Sequence, residues 1–168
     1  EEAGAGHGPG PSAAPSHCSS AEAGGVHVLR LAPGEELKGA LLAYAASRGL
    51  TSAWVVTCVG SLSSVRLRLA GATATSAAEP EHVLERHELF EICSLVGTIS
   101  SGGTSCHLHA TLADGRGAVC GGHLLEGRVN TTAEVVLGTS GSLRFSREDD
   151  PKTGFKELVP RRVPSSAL

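Results

Sequence analysis

Hydrophobic and polar side chains alternate along residues 26–32, which is the period of a strand with one buried face. Pro33 and Gly34 interrupt that pattern, and residues 35–48 then carry hydrophobic side chains at the spacing of an amphipathic helix. Two glutamates at its beginning suit the positive end of a helix dipole, and Gly49 is suited to ending the helix. The pattern therefore predicts one strand followed by the main helix.

The rest of the chain has the pattern of a β-rich domain. Short hydrophobic segments have the length of strands. They cover residues 52–59, 65–70, 83–88, 90–100, 105–112, 118–124, 131–137 and 142–147. The turn residues at 114–117 predict a hairpin between two of them. One helix among roughly eight strands predicts a single α+β domain, a mainly antiparallel sheet packed with one main helix.

The composition fits one folded domain and restricts its partners. The 168 residues suffice for one core, and 40% of them are hydrophobic. Aromatic residues make up only 3% and the net charge is −3, so we expect neither a base-stacking surface nor a basic field for DNA. No hydrophobic run approaches the ~18 residues of a membrane span. Residues 25–158 form the predicted domain, between a disordered tail at 1–24 and a flexible tail at 159–168.

The cysteines indicate the compartment of the protein. There are five, an odd number, and no CxxC pair occurs, which argues against a disulfide framework or a zinc ribbon. Four of them lie in hydrophobic segments: Cys58, Cys93, Cys106 and Cys120. Buried free thiols in a reducing compartment are the expected state. We therefore predict an intracellular protein, cytoplasmic in preference to nuclear, that is not secreted.

Three histidines carry the chemistry of the chain. His107 and His109 are two positions apart in a predicted strand, so their side chains point to the same face. A three-residue hairpin loop at 115–117, with Gly117 in the left-handed conformation, pairs His109 with His123. Directly opposed residues share a face, so this register brings the three imidazoles together. A two-residue loop would instead turn His123 to the other face, but Gly117 favours the first register.

Three imidazoles with a fourth coordination position open are the ligand set of a catalytic zinc site. The predicted metal ligands are His107, His109 and His123, and the predicted cofactor is zinc or another divalent metal. Glu126 and Glu134 are candidates for carboxylates that orient the ligands. The alternative is three partly exposed histidines that make ordinary hydrogen bonds and bind no metal.

Further motifs surround these histidines. They are His107-Leu108-His109, Leu112-Ala113-Asp114-Gly115, Gly121-Gly122-His123-Leu124, Thr132-Ala133-Glu134-Val135, Asp150-Pro151-Lys152-Thr153-Gly154 and Phe90-Glu91-Ile92-Cys93-Ser94-Leu95. In this combination and order the chain resembles the plants-and-prokaryotes conserved domain, or PPC domain. The resemblance extends from about residue 26 to residue 158 and covers most of the chain outside the predicted tails.

The resemblance implies an α+β domain that assembles as a homotrimer and, in plants, binds partner transcription factors. Plant members usually carry an AT-hook, but this chain has no Arg-Gly-Arg-Pro, so DNA binding by this chain alone is not expected. The plant partner motif Gly-Arg-Phe-Glu-Ile-Leu corresponds to residues 88–93, which makes Phe90, Glu91 and Ile92 candidates for a contact with protein partners. Leu89 replaces the arginine, and a core position is the alternative for Phe90 and Ile92.

The fold is also similar to that of alpha-acetolactate decarboxylase and of a zinc-dependent ester hydrolase group, which hold a metal with an HxH pair and a later histidine. The first hypothesis is a homotrimeric binding or assembly module with a three-His metal site. The second is a small zinc-dependent lyase or hydrolase that uses the same site. The third and weakest is a DNA-associated transcription regulator.

The enzyme hypothesis requires a general acid or base near the metal. The sequence offers several candidates for that role: His27, His87, Glu88, Glu91 and Arg128. None of them has a spacing that places it beside the three histidines. The module is therefore the preferred hypothesis, and whether the chain is an enzyme stays open.

Overall fold

Strands follow one another along most of the chain. The computed structural model describes residues 17–21 and 25–164. Its strands are β1 (His17–Ala21), β2 (Val26–Leu31), β3 (Ala53–Arg68), β4 (Val83–Arg86), β5 (Phe90–Ser100), β6 (Ser105–Asp114), β7 (Val119–Thr139), β8 (Leu143–Asp149) and β9 (Lys156–Arg162). The α-helix is α1 (Leu37–Ser47), and short 3-10 turns lie at Pro80–His82 and Ser101–Gly103.

Seven strands form an antiparallel sheet in the order β1-β2-β7-β6-β5-β3-β4. β7 pairs with β3 as well as with β6, so β3, β5, β6 and β7 close into a barrel. β8 and β9 form a separate two-stranded sheet. The predicted α+β class, with a mainly antiparallel sheet and one helix, is confirmed.

Glu36 caps the beginning of α1. Its carboxylate accepts hydrogen bonds from the backbone N–H groups of Lys38 (3.1 Å) and Gly39 (2.6 Å), which have no partner within the first helical turn. The same carboxylate accepts a bond from the N–H of Gly127 on β7 (3.1 Å), which ties the start of the helix to the sheet. The buried face of α1 consists of Leu37, Ala40, Leu41, Tyr44 and Ala45.

Aliphatic side chains fill the interior, as the scarcity of aromatic residues requires. Fully buried leucines on several strands are among its largest side chains: Leu29, Leu31, Leu62, Leu67, Leu108, Leu112 and Leu124. Their removal from water, at about 25 cal/mol per Å² of apolar surface, is the main force that holds the sheet and α1 together. Along the described chain, no helix combines the length and the hydrophobicity needed to cross a membrane.

Two pairs of predicted strands are each one continuous strand. β3 covers both segments predicted at 52–59 and 65–70. Its pairing with β7 shifts register twice between Gly60 and Ser64. A bulge changes which face the following side chains point to, although the strand continues to pair. The hydrophobic pattern is therefore interrupted at this point, whereas the strand is not. β7 likewise joins the segment after the hairpin loop to the one predicted at 131–137.

The C-terminal part of the chain differs from the prediction. The strand predicted at 142–147 belongs to the separate β8–β9 sheet and not to the main sheet, and β9 occupies part of the tail predicted at 159–168. Pro160 argues against a strand in the sequence, but proline is tolerated on an edge strand, where its missing N–H need not donate. The hairpin packs near the start of β3, where the N–H of Phe145 donates to the carbonyl of Thr51 (2.9 Å).

The N-terminal segment also contains structure that the sequence pattern does not indicate. Within the tail predicted to be disordered at 1–24, residues 17–21 form β1, which pairs with β2. The edge of a sheet offers unpaired backbone donors and acceptors, so even a polar segment can add a strand there. Residues 1–16, 22–24 and 165–168, which make up most of the rest of the two predicted tails, lie outside the described residues.

Candidate metal centre

His107 and His109 project from the same face of β6. Leu108, between them, is 1% exposed and packs in the core, as alternation along a strand requires. The Nε2 atoms of the two histidines are 3.0 Å apart. Two nitrogens bound to one tetrahedral zinc ion at ~2.0–2.1 Å lie about 3.3 Å apart. The separation is that of a hydrogen bond between the two imidazoles, and it is also close to the separation that a shared ion imposes.

A tight hairpin brings the third histidine to this face. Gly117 has a φ of 80°, in the left-handed region, and its N–H donates to the carbonyl of Asp114 (2.9 Å). The N–H of Asp114 donates to the carbonyl of Ala118 (2.9 Å), which closes a three-residue loop. His109 and His123 are antiparallel partners. The predicted register is confirmed, and the alternative with a two-residue loop is excluded.

The three imidazole rings converge. The ring centroid of His123 lies 5.0 Å from that of His107 and 5.6 Å from that of His109. Each of the three residues offers one ligand nitrogen, and these nitrogens lie within 4.8 Å of one another. His109 is exposed whereas His123 is partly buried, so the cluster is open to solvent on one side.

The surroundings keep two of these imidazoles neutral. Burial lowers the pKa of His123 to about 4, and the positive charge of Arg68 acts in the same direction. Burial also lowers the pKa of His107, and His109 and Arg147 add to this effect. Neutral imidazole is the form that binds a metal ion. Both side chains are therefore in their metal-binding form at neutral pH.

Nδ1 of His123 is a buried polar atom of the cluster. Among the described residues, nothing pairs with Nδ1 of His123. Leaving a buried polar atom unpaired costs about 1–3 kcal/mol. A metal ion coordinated by this atom would offset that cost. Together with the short distance between His107 and His109, the unpaired nitrogen indicates that the donor set fits a metal ion.

A cavity of about 380 Å³ lies beside His107 and His123. β3 contributes Arg68 to its wall, and the β8–β9 hairpin contributes the rest of the charged lining. The lining side chains from the hairpin are Arg147, Phe155, Lys156 and Glu157. Arg68 is the antiparallel partner of His123, so the two side chains share a face of the sheet. The candidate centre therefore combines three imidazoles that could hold a metal ion with a charged pocket.

The carboxylates predicted to orient the ligands lie elsewhere. Glu126 forms surface ion pairs with Arg66 (3.9 Å) and Arg128 (3.8 Å). Glu134 is exposed on β7, and neither glutamate lines the cavity beside the imidazoles. Arg128, an acid–base candidate, also donates to the carbonyl of Gly34 (2.8 Å) and is thereby held at the start of α1.

The other acid–base candidates are also outside this cavity. His27 is buried, with its Nδ1 2.9 Å from the hydroxyl of Tyr44. His87 lies 3.1 Å from Glu85 on the surface. Glu88 forms an exposed pair with an arginine of β4. Their positions assign these residues to the core or to the surface and not to the metal centre.

The partner-motif candidates divide into two groups. Phe90 and Ile92 are 4% and 6% exposed and belong to the hydrophobic core, the alternative that the sequence left open. Glu91 is exposed between them, and the adjacent Leu89 is also exposed. A contact with a partner protein stays a prediction, and it would have to use Glu91 and Leu89.

Arg68 and Arg147 are the main site residues that the sequence did not indicate. Arg66 and Arg68 are two positions apart, which predicts that their side chains lie on the same face of a strand. This spacing does not predict which strand pairs beside them. Its position depends on the pairing of β3 with β7. Arg147 belongs to a hairpin outside the main sheet. The alternation of side chains within the main sheet therefore could not predict that Arg147 lies beside the histidines.

Known proteins are similar to this chain over most of its length. The family model of the Plants and Prokaryotes Conserved (PCC) domain matches residues 18–141. The Bifunctional protein GlmU of Synechococcus sp. (strain JA-2-3B'a(2-13)) is 44% identical over 134 residues, which are 79% of this chain and 20% of that protein. The chain thus spans about a fifth of the length of the curated relatives it matches.

Solved structures share the fold. A hypothetical protein from Salmonella cholerae-suis superposes with a TM-score of 0.72 at 36% identity, over 82% of this chain and 93% of the other. A metal-containing protein from Archaeoglobus fulgidus superposes with a TM-score of 0.63 at 27% identity, over 80% of this chain and 92% of the other. A Staphylococcus aureus protein described as similar to alpha-acetolactate decarboxylase superposes with a TM-score of only 0.42, too low to support a statement about activity.

Proposed function

The chain belongs to the Plants and Prokaryotes Conserved domain family, and on that premise we propose that it is a metal-binding module. His107, His109 and His123 hold one divalent ion, zinc in preference to other metals. The observation that carries the proposal is the convergence of three imidazole nitrogens within 4.8 Å of one another. The metal-containing relative from Archaeoglobus fulgidus agrees with a metal site in this fold.

Zinc suits these donors because it is bound by imidazole nitrogens in tetrahedral geometry and leaves a fourth position for water or a ligand. When bound, the ion supplies a Lewis acid at the edge of the cavity. The chain's own residues preorganise the site for this ion. The hairpin at Gly117 sets the spacing between His109 and His123, and the lowered pKa values keep His107 and His123 neutral.

Calorimetric titration of chelator-treated protein with zinc near neutral pH tests this function. We expect one site per chain in the wild type and at least about tenfold weaker binding in His109→Ala, because one of three ligands is lost. His87→Ala is the matched control, since His87 is an exposed histidine paired with Glu85. Wild-type protein without saturable binding, or equal binding by the wild type and His109→Ala, contradicts the proposal.

We also propose that the module assembles as a homotrimer, as the family resemblance implies. Exposed valines support self-association, because Val28, Val56 and Val59 are 49%, 58% and 55% exposed. Val28 is the strand partner of Val136, which in turn is the partner of Thr57. Val56 and Val59 lie on β3 within two residues of Thr57, so the exposed valines belong to neighbouring segments of β2 and β3 on either side of β7. Contiguous apolar patches of this kind usually mark an interface.

A zinc-dependent lyase or hydrolase is the second candidate, favoured by the open cavity beside the imidazoles. Among the described residues, Glu157 is the carboxylate that lines this cavity, and its position suits proton exchange with a ligand there. Turnover of an ester or a hydroxy-acid substrate that is lost in Glu157→Gln, with zinc content unchanged, would favour the enzyme. Turnover that is unchanged in Glu157→Gln would remove this residue from the proposal.

DNA binding by this chain alone is not part of the proposed function. The net charge of −3 provides no general attraction for phosphates. Fluorescence titration with labelled duplexes is expected to show no tight, sequence-dependent binding. Nanomolar affinity that changes with DNA sequence would instead support the DNA-associated regulator.

A further inference from the structure

Two arginines lie beside the imidazoles and share their cavity with one described carboxylate, Glu157. Arg68 and Arg147 both line the cavity next to His107 and His123. Neither forms a salt bridge within the part of the chain that the structure describes, although several other arginines do. A guanidinium group carries five N–H donors and stays charged at physiological pH. Both arginines therefore keep charge and donors that a ligand can use.

The guanidinium of Arg147 is held beside the metal centre by a hydrogen bond. Its Nη2 donates to Oγ1 of Thr98 (2.8 Å). Thr98 is the antiparallel partner of His107, so the bond brings the guanidinium to the side of the sheet that carries the imidazoles. Nε of Arg147 is buried and has no hydrogen-bond partner among the described residues. The fold thus keeps this positive charge here at a cost in desolvation.

Arg68 lines the same cavity from β3, the strand that pairs with β7. It is the antiparallel partner of His123. Its guanidinium carbon lies 5.1 Å from the centre of the Phe155 ring, a distance at which a cation and an aromatic face attract each other. The two guanidinium groups therefore flank the imidazoles from β3 and from the β8–β9 hairpin.

A divalent ion at the imidazoles would add to an already positive lining. Lys156 lines the cavity as well, and Glu157 is the carboxylate that opposes these charges. Like charges at close range repel one another, and the repulsion is stronger in a partly buried site than in water. An anion in the cavity would offset this repulsion and would also provide acceptors for Arg68 and Arg147.

We propose that the cavity binds a small-molecule oxyanion, a carboxylate or a phosphate group, with one oxygen on the metal and others on Arg147 and Arg68. The proposal rests on the metal site proposed above. Arg147 and Phe155 belong to a part of the chain beyond residues 18–141, which the family model matches. The choice of ligand therefore depends on a hairpin that lies outside the matched segment.

Cobalt-loaded protein provides a test that needs no catalytic activity. The visible spectrum of the bound cobalt reports a new oxygen ligand, so titrations with inorganic phosphate and, separately, with acetate measure binding of each anion. We expect Arg147→Gln to weaken binding about tenfold or more, because a charge-assisted hydrogen bond is lost. Arg68→Gln is expected to act in the same direction. Arg144→Gln is the matched control, since Arg144 is an exposed arginine of the same strand, β8.

The outcomes separate this proposal from the metal site on which it rests. Wild-type protein that binds no cobalt overturns both. Cobalt binding without a spectral response to either anion, or with equal anion affinity in the wild type, Arg147→Gln and Arg68→Gln, overturns the oxyanion proposal alone. A response to phosphate only, or to acetate only, supports the proposal and identifies the group. If Arg147→Gln fails to fold by circular dichroism, Arg68→Gln decides the question.

Discussion

His109 lies directly opposite His123 across β6 and β7, with the ring centroids 5.6 Å apart. The two residues belong to strands joined by a three-residue loop, so the geometry of that loop determines which face His123 occupies. A shift of one residue in this register would move His123 away from His107 and His109. The convergence of the three imidazoles therefore depends on a turn that does not itself touch them.

Substitution of Gly117 tests this dependence. Gly117 has a φ of 80°, and no atom of a described residue lies within 4 Å of where a Cβ would be, so alanine would be strained by backbone conformation alone. We expect Gly117→Ala to lower the free energy of unfolding by about 1–2 kcal/mol, measured by urea denaturation. Gly115→Ala is the matched control, because Gly115 has equal space without a positive φ. Equal stability of the two variants would contradict the assigned loop conformation.

Gly97 is expected to be more sensitive, because β5 and β6 approach closely there. A Cβ at Gly97 would clash with the carbonyl oxygen of His107, and the φ of 142° is unfavourable for other residues. We expect Gly97→Ala to cost about 3 kcal/mol or more and to reduce zinc binding, since the backbone of His107 must move. Gly102→Ala, at a positive φ with open space, controls for backbone strain. Calorimetric zinc titration that is unaffected in Gly97→Ala would argue against this coupling.

The convergence of the three histidines could be predicted from the sequence because it depends on local relationships. A spacing of two residues fixes the common face of His107 and His109, and a short loop fixes the register of His123. Arg68 could not be predicted in this way. It faces His123 only because β3 pairs with β7, and strand pairing between distant segments leaves no periodic signal in the chain.

The elements of the fold also differ in whether the sequence predicts them. The helix and the hairpin were predictable from periodicity and turn residues, whereas bulges concealed the continuity of β3 and β7. The sequence did not indicate β9, because its segment is short and charged and contains Pro160. Its partner β8 has the hydrophobic pattern of a further strand of the main sheet, so the separate hairpin was not predicted. The hydrophobic pattern indicates where individual strands lie, but it does not show which strands pair with each other.

Protonation of His27 is expected to make the protein less stable in mild acid. Burial lowers the pKa of His27, and Arg48 adds to this effect. Because the unfolded chain has the ordinary histidine pKa of ~6.5, it takes up the proton first. The stability present above that pH is therefore lost as the pH falls through the window between the unfolded and the folded pKa. Urea unfolding between neutral and mildly acidic pH measures this loss.

A pair of variants isolates the contribution of His27 from those of the other histidines. His27→Gln cannot titrate, so its stability should fall less steeply with decreasing pH than that of the wild type. His87→Gln, at an exposed position, should retain the wild-type slope. The assignment fails if His27→Gln and the wild type lose the same free energy over this range.

The exposed valines should control assembly. Val56→Asp places a charge on a side chain that is 58% exposed in the single chain, so it should disturb the interface more than the fold. Light scattering after size exclusion is expected to give about three times the chain mass for the wild type and a smaller mass for this variant. Val119→Asp, at a position that is 65% exposed beside the hairpin loop, serves as the control. A monomeric wild type at micromolar concentration would refute the homotrimer.

The most direct test of the central claim is the metal content of the protein as purified, without a histidine tag, determined by inductively coupled plasma mass spectrometry. If His107, His109 and His123 form one site, the wild type carries about one divalent ion per chain, predominantly zinc. His109→Ala should lose most of that metal, and His87→Ala should retain it. Equal trace amounts of zinc in the wild type and in His109→Ala would mean that the three imidazoles do not form a metal site.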